Sequence, residues 1–274
     1  MDAENQAEKE EDEYKMEVKQ VSHDKERNRF TFLVKDASPG FVNSIRRTII
    51  ESVPVMAIED VEFKQNSSVM YDEMVALRLG LISLKTDLSS YNLPADCTCK
   101  GEGCAKCTIM FTLSAKGPCT VYASDLKSKD PAIVPVYPET PIVKLAKGQE
   151  LDIEAKAQLG LGSVHAKWVP AFVYHTYEPK ITVNNNSPKL AECKDKLPSQ
   201  IFDGNKINEK KIVELGLVDA VDGVCEEVIK VEFNESNFLL TIESFGQLSV
   251  KDIFKTALSK LKSQSEEFVK AIQQ

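Results

Sequence analysis

Apolar and polar residues alternate near the start of the chain. The stretches "YKMEVKQVS" and "RNRFTFLVK" have the period of two that places every second side chain on one face of a strand. The charged segment "HDKE" between them favours a turn. The N-terminal pattern therefore predicts an antiparallel hairpin.

The next segment, "SPGFVNSIRRTIIESVP", carries the signals of a helix. Ser38 suits the N-cap, Pro39 suits the first helical position, and Pro54 follows the end. At about 100° per residue, apolar and polar side chains separate onto opposite faces. The apolar stripe consists of Phe41, Val42, Ile45 and Ile49, and the opposite face of Asn43, Arg46 and Arg47. We predict one face that packs and one that presents two guanidinium groups.

The C-terminal part repeats this order of strands and helix. "EEVIKVEF" and "NFLLTIESF" flank the turn-forming "NES" and predict a second hairpin. Ser249 and Asp252 then make a start like a capping box for a long helix. Its apolar side comprises Val250, Ile253, Phe254, Ala257, Leu258, Leu261, Phe268 and Ile272. At about 35 Å, this helix is long enough that its stripe either packs in the chain's own core or pairs with another chain.

The middle of the chain has a different composition. Segments such as "CTIMFTLSA" and "KWVPAFVYHTYE" are short, β-rich and separated by Gly, Pro and Asn, so residues 58–177 are predicted to form a mostly β domain. If the two chain ends form one unit, this domain is inserted into it. Residues 1–13 are nearly all polar or charged and predict a disordered acidic tail.

Charge and hydropathy limit the classes of function. No apolar run approaches the roughly 18 residues that cross a bilayer, and the acidic N-terminus resembles no signal or transit peptide. We therefore expect a cytoplasmic protein that does not bind a membrane. The net charge is -8, with Lys and Arg scattered among 42 acidic residues. Because DNA and RNA binding usually depends on a basic face, contact with nucleic acid is expected only through partners.

Four of the seven cysteines lie in "CTCKGEGCAKC", residues 97–107. Cys97, Cys99, Cys104 and Cys107 are separated by glycines that allow the chain to reverse, as four ligands of one tetrahedral ion require. The favoured interpretation is a structural zinc site with all four positions filled by protein. The spacing also resembles iron–sulfur motifs, which leaves that alternative open. Cys119, Cys193 and Cys225 stand alone and are interpreted as core or incidental thiols.

Catalytic motifs are missing from the sequence. It contains no G-x-S-x-G, no phosphate-binding glycine loop and no H-E-x-x-H, and its three histidines share no metal or triad spacing. We expect no catalytic residues.

Two alternative functions remain. A metal-dependent regulator of nucleic acid would need a basic surface. A thiol redox enzyme would need its Cys-x-x-Cys, Cys104 to Cys107, on a thioredoxin-like unit.

Several collinear segments resemble one family. They are "FVNSIRRTIIESVPVMAIEDVEF", "MYDEMVALRLGLISLKTDLSSY", the four-cysteine loop, "TVYASDLKSKDP", "PIVKLAKGQELDIEAKAQLG", "VHAKWVP" and "LLTIESFGQLSVKDIFKTALSKL". Together they closely resemble the D subunit of archaeal RNA polymerase, over residues 14–274. That family is the counterpart of the third-largest subunit of eukaryotic RNA polymerase II and of the bacterial α N-terminal domain.

The resemblance implies an α+β fold with a divided domain. A dimerisation domain of hairpins and two helices would come from residues 14–57 and 225–274. Residues 58–177 would be the inserted mostly-β domain that carries the zinc loop 97–107. Residues 178–224 would form a small ferredoxin-like insertion.

The resemblance also implies a role and partners. The chain would be a non-catalytic assembly subunit that heterodimerises with subunit L and then recruits the second-largest and largest subunits, beside other small subunits. Asn43, Arg46 and Arg47 match the motif that docks the second-largest subunit, and the four cysteines match the zinc loop of the eukaryotic relative. The expected dimerisation residues are Phe41, Ile45, Ile49, Phe254, Leu258 and Leu261.

One departure from the family concerns its iron–sulfur cluster. Many members hold such a cluster in the ferredoxin-like insertion. In "DKLPSQIFDGNKI" Leu197 stands where a cluster cysteine would be, and only Cys193 and Cys225 lie nearby. Since two thiols do not complete a cuboidal cluster, we expect an insertion without one.

Overall fold

The structure is a computed structural model, and it describes residues 16–273. The predicted acidic tail lies outside these residues. The chain divides into two compact units. One comprises residues 16–21, Phe32–Val42 and His175–Leu240, and the other comprises Ser22–Thr31, Asn43–Tyr174 and residues 241–273.

The elements alternate between long strands and a few helices. The strands are β1 (Glu17–Asp24), β2 (Arg29–Lys35), β3 (Val55–Asn66), β4 (Thr108–Lys116), β5 (Cys119–Tyr122), β6 (Lys127–Ser128), β7 (Pro141–Leu145), β8 (Glu150–Gly160), β9 (Ala171–Val183), β10 (Phe202–Asp203), β11 (Lys206–Ile207) and β12 (Ile229–Ser244). The helices are α1 (Pro39–Ser52), α2 (Asp72–Gly80), α3 (Leu190–Cys193), α4 (Glu209–Glu214), α5 (Val218–Val221) and α6 (Val250–Ile272). The described residues form mostly sheet with a few helices, which agrees with the predicted α+β class.

Strands from both chain ends form one sheet, in the order β1-β2-β12-β9. β1 and β2 are neighbours, as the N-terminal pattern predicts. The second predicted hairpin is wrong, because β12 is one continuous strand of 16 residues. It has a neighbour on each side, and pairing along a strand outweighs the local turn propensity of "NES". The Ala37 N–H also donates to the Ser236 carbonyl at 3.0 Å, which holds the expected turn in an extended form.

A second sheet, in the order β3-β8-β4-β6, organises the core of the unit that contains Asn43–Tyr174. β8 lies between antiparallel partners β3 and β4. Every second side chain of β8 is buried, as an alternating strand pattern requires. α2 adds the buried side chains Val75 and Leu79 to this core.

The predicted insertion, residues 178–224, contains α3, α4, α5 and the short β10–β11 pair. Its apolar side chains form a small core around Ile201, Ile212 and Val221, all 0% exposed. Leu197, which stands where the family has a cluster cysteine, is also buried in this core.

Both long helices begin where the sequence predicts. The N–H of Phe41 donates to the Ser38 hydroxyl at 3.2 Å, and the N–H of Asp252 donates to the Ser249 hydroxyl at 3.1 Å. These hydroxyls satisfy N–H groups that have no partner inside the helix. Within residues 16–273, no helix is long and apolar enough to cross a bilayer.

Candidate functional site

The four-cysteine loop reverses direction between its two pairs of cysteines. Lys100, Gly101 and Gly103 have φ values of 52°, 89° and 89°, in the left-handed region. Glycine adopts this region without steric cost. The N–H of Lys100 donates to the Cys97 carbonyl at 2.9 Å, and the N–H of Cys107 donates to the Cys104 carbonyl at 2.9 Å. Each cysteine pair therefore lies on its own tight turn.

The reversal brings the four sulfur atoms together. All four lie within 4.8 Å of one another. The Sγ atoms of Cys97 and Cys104 are 3.5 Å apart, and those of Cys99 and Cys107 are also 3.5 Å apart. Four thiolates at 2.3 Å from a tetrahedral zinc ion would be about 3.8 Å apart. The donor set and its spacing therefore fit a tetrahedral metal ion, and within residues 16–273 this is the one such cluster of three or more ligating side chains.

The four thiols differ in proton affinity. Burial raises the pKa of Cys107 to about 12. Burial also acts to raise the pKa of Cys99, but hydrogen bonds from the Cys107 thiol and the Gly103 N–H outweigh it and lower this pKa to about 6. The protein groups alone thus favour a thiolate at Cys99 beside a protonated Cys107. Four thiolates at this spacing require a cation among them.

The base of the loop is fixed to the β-rich unit. The N–H of Asn92 donates to the Lys106 carbonyl at 2.8 Å, and the Tyr91 hydroxyl donates to Asp130 at 2.8 Å. Cys107 immediately precedes β4 and is 0% exposed. The cysteines are therefore held at the edge of a folded core.

The polar face of α1 presents two arginines. Asn43 accepts a hydrogen bond from Arg46 Nε at 3.0 Å, which orients a half-buried guanidinium. Arg47 Nε donates to Glu51 at 3.1 Å across one helical turn, and the Arg47 side chain is 60% exposed. The sequence pattern correctly placed these three predicted residues away from the buried stripe.

The predicted dimerisation residues differ in exposure. Ile45 and Ile49 are 3% and 0% exposed, so the chain's own core already covers them. Phe41 and Leu258 are 36% and 38% exposed. Phe254 and Leu261 are half-buried. The helical pattern gave the apolar stripe but did not separate its core positions from its exposed positions.

Cys193 and Cys225 correct one expectation. They form a disulfide with a sequence separation of 32 residues, rather than standing alone. Cys193 lies among the buried side chains of the insertion core, and Cys225 packs against them. Cys119 is a free, exposed thiol. The signal in the sequence that could have indicated this disulfide was the presence of two cysteines, 32 residues apart, in one small region of the chain.

The histidines have structural surroundings. His23 stacks on Phe30 with ring centroids 3.9 Å apart, and His165 accepts a hydrogen bond from the Lys167 N–H at 3.0 Å. His175 packs edge-on against Phe238 at 5.9 Å. None of them belongs to the metal-ligating cluster of residues 16–273.

Comparison with known proteins identifies the family. The RNA polymerase Rpb3/RpoA insert domain family matches residues 58–170. DNA-directed RNA polymerase subunit Rpo3 of Methanosarcina acetivorans is 42% identical over 250 residues, which cover 89% of this chain and 94% of the relative. The chain belongs to the Rpo3 family. Rpo3 of Archaeoglobus fulgidus is 38% identical over 89% of this chain and 93% of the relative. Rpo3 of Pyrococcus horikoshii is 36% identical over the same shares.

Membership in the Rpo3 family makes the chain a subunit of DNA-directed RNA polymerase, and not a polymerase by itself. The resemblance to the archaeal polymerase, found in the sequence motifs, is confirmed at the level of the family. The matched insert domain also agrees with the β-rich middle of the chain.

Proposed function

We propose that this Rpo3 family member is the assembly platform of its polymerase. It pairs with a smaller subunit of the L type, and the pair then recruits the second-largest and the largest catalytic subunits. DNA is contacted only through the complex, which is consistent with the net charge of -8. The observation that carries this proposal is the exposure of apolar side chains in the C-terminal half of α6.

Only the first turns of α6 are covered by the chain itself. Its buried residues are Val250, Ile253 and Ala257. Beyond them, Phe268, Val269 and Ile272 are 67%, 52% and 68% exposed. A helix with such exposed apolar side chains is typical of a protein interface. Burying this surface would stabilise a complex by about 25 cal/mol per Å² before the costs of association.

The side chains proposed to contact the smaller subunit are fewer than the six predicted residues. Phe41, Phe254, Leu258 and Leu261 have exposed area that a partner subunit can cover. Ile45 and Ile49 are buried in the chain's own core and have almost no exposed area for a partner. Direct contact with the smaller subunit is therefore assigned to the first four residues.

The second-largest subunit is proposed to dock on Asn43, Arg46 and Arg47. A guanidinium group presents several N–H donors in a planar fork that matches a carboxylate. The Asn43–Arg46 hydrogen bond supports this role, since it fixes one fork before binding. The partner surface should therefore supply acidic side chains.

Zinc is the proposed metal of Cys97, Cys99, Cys104 and Cys107. With four protein ligands the site would be closed, so zinc would stabilise the loop instead of binding substrate. We also propose that the insertion, residues 178–224, holds no iron–sulfur cluster. Cys193 is the one cysteine of these residues, and it is joined to Cys225, which directly follows them.

Co-expression of the tagged chain with the smaller and second-largest subunits tests the platform. Leu258→Asp should abolish recovery of the smaller subunit, because it places a charge on the exposed apolar side of α6. Leu81→Asp is the matched control, since Leu81 is 59% exposed at the end of another helix. The double variant Arg46→Ala, Arg47→Ala should keep the smaller subunit and lose the second-largest one. Recovery of both partners with all variants would contradict the proposal.

A further inference from the structure

The loop 161–165 is fastened to the C-terminal end of α1. The N–H of Ser163 donates to the Glu51 carbonyl at 3.2 Å. Gly162 approaches the helix so closely that a Cβ atom there would lie 1.9 Å from the Ile50 carbonyl oxygen. No real side chain tolerates that distance, so the contact requires glycine. The loop therefore lies directly beside the turn of α1 that carries Arg47 and Glu51.

The loop is also fixed from its other side. A Cβ atom at Gly160 would lie 2.2 Å from the Trp168 ring, and Trp168 is 4% exposed. Lys167 Nζ lies 4.5 Å from the centre of that ring and donates to the Ile58 carbonyl at 3.0 Å. The residues that flank the loop on both sides thus pack against the core.

Val164 lies at the tip of this fixed loop and is 73% exposed. Its N–H donates to the Leu161 carbonyl at 2.9 Å, which closes a turn that keeps the side chain outside the core. A rigid loop that exposes an apolar side chain loses little conformational entropy when a partner covers it. Val164 therefore has the properties of an interface anchor.

The charged side chains of α1, the helix to which the loop is bonded, indicate the chemistry of the partner. Arg46 and Arg47 form a cationic face on a chain whose net charge is -8. Glu51 accepts a hydrogen bond from Arg47, and the half-buried Lys167 side chain is paired with Glu59. The face carries two arginine charges and one neighbouring carboxylate, Glu51, so its net charge is positive. The Arg47 side chain is 60% exposed. An acidic surface is its electrostatic complement.

We propose that the loop 161–165 extends the α1 docking face, with Val164 as its apolar anchor and Arg46 and Arg47 as its charged part. The occupant is a segment of the second-largest polymerase subunit in which carboxylates flank an apolar contact. This inference rests on the proposed function, because it takes the identity of the partner from it. It adds a second element of the chain, and a specific side chain, to that interface.

Binding of the purified heterodimer to the second-largest subunit tests the inference by titration. Val164→Glu should weaken binding about tenfold or more, since it removes the apolar contact and repels acidic groups. Val164→Lys removes the same contact without that repulsion and should weaken binding clearly less. Val69→Glu is the matched control, because Val69 is an 83% exposed valine of the same unit, and it should leave binding unchanged.

Two further measurements and one further variant keep the outcomes distinguishable. Zinc content and heterodimer yield report whether each variant folds. If Val164→Glu does not fold, Val164→Ala replaces it, with an expected loss of binding affinity of about fivefold. Loss of binding with Arg46→Ala, Arg47→Ala but not with Val164→Glu would overturn the inference and leave the proposed function standing. Unchanged binding with both variants would overturn both. Equal weakening by Val164→Glu and Val164→Lys would overturn the acidic identity of the partner segment.

Discussion

At the scale of single residues, Cys107 is the most buried of the four cysteines proposed to hold zinc. Its thiol is 0% exposed, and its sulfur accepts a hydrogen bond from the Cys104 N–H at 3.3 Å. We expect Cys107→Ser to abolish stoichiometric zinc, because a hydroxyl is a poor zinc ligand and the other three sulfurs leave one position open. Atomic absorption on the purified chain measures the loss.

The control for this change is Cys119→Ser. Cys119 is an exposed free thiol outside the cluster, so its replacement should leave the zinc content unchanged. The wild-type chain should release zinc as the pH falls, since protons compete with the ion for the thiolates. Equal zinc in Cys107→Ser and wild type would contradict the ligand assignment.

Gly162 gives a second expectation at this scale. Gly162→Ala should lower the free energy of unfolding by about 1–3 kcal/mol, because the new methyl group would collide with the Ile50 carbonyl. Gly40→Ala is the matched control, since nothing lies within 4 Å of a Cβ atom there. Thermal unfolding compares the two variants. A smaller loss for Gly162→Ala than for Gly40→Ala would contradict the close approach.

The sequence predicted local chemistry well and burial poorly. Four cysteines within 97–107 must lie near one another, so their clustering follows from chain connectivity alone. Ile45 and Phe41 have the same helical pattern but 3% and 36% exposure. That difference depends on side chains distant in sequence, which periodicity does not contain.

At the scale of elements, the predicted caps were confirmed and one predicted turn was not. Ser38 and Ser249 act within three residues of themselves, so the sequence contains the whole interaction. The segment "NES" at residues 234–236 was predicted as a turn but lies inside β12. Its conformation is set by neighbouring strands from other parts of the chain.

The Cys193–Cys225 pair makes an expectation about the insertion. The double variant Cys193→Ser, Cys225→Ser removes the disulfide and should destabilise the insertion by about 3–4 kcal/mol. The reason is that the 32-residue loop between the cysteines regains conformational entropy in the unfolded state. Hydrogen exchange should show faster opening around Ile201 and Ile212, both 0% exposed in the insertion core.

Exchange elsewhere is the control for the disulfide variant. The β8 strand belongs to the other unit, and its protection should not change. Loss of protection in β8 equal to that in the insertion would indicate global unfolding and contradict a local role. The pairing itself was not predicted, because connectivity between cysteines 32 residues apart depends on the folded insertion.

At the scale of the whole molecule, two kinds of surface are proposed for two kinds of partner. The exposed side of α6 is apolar, with Phe268 and Ile272 at 67% and 68% exposure. The docking face on α1 is charged, with Arg47 60% exposed. The difference in chemistry between these surfaces was visible in the sequence pattern. The exposed position of Val164 was not visible there, because an isolated valine in a loop carries no periodic signal.

These two surfaces should differ in their response to salt. Raising the ionic strength from about 0.1 M to 1 M shortens the Debye length from about 10 Å to 3 Å. We expect the second-largest subunit to bind at least about tenfold more weakly at the higher salt, while the pair with the smaller subunit persists because apolar burial is not screened. Light scattering of the reconstituted complex across a salt series measures both equilibria.

The variant Arg46→Lys, Arg47→Lys keeps the charge but loses the planar guanidinium groups, so it should bind the second-largest subunit more weakly at low salt and retain the salt dependence. Release of both partners at the same salt concentration would mean that the two surfaces do not differ in the way proposed.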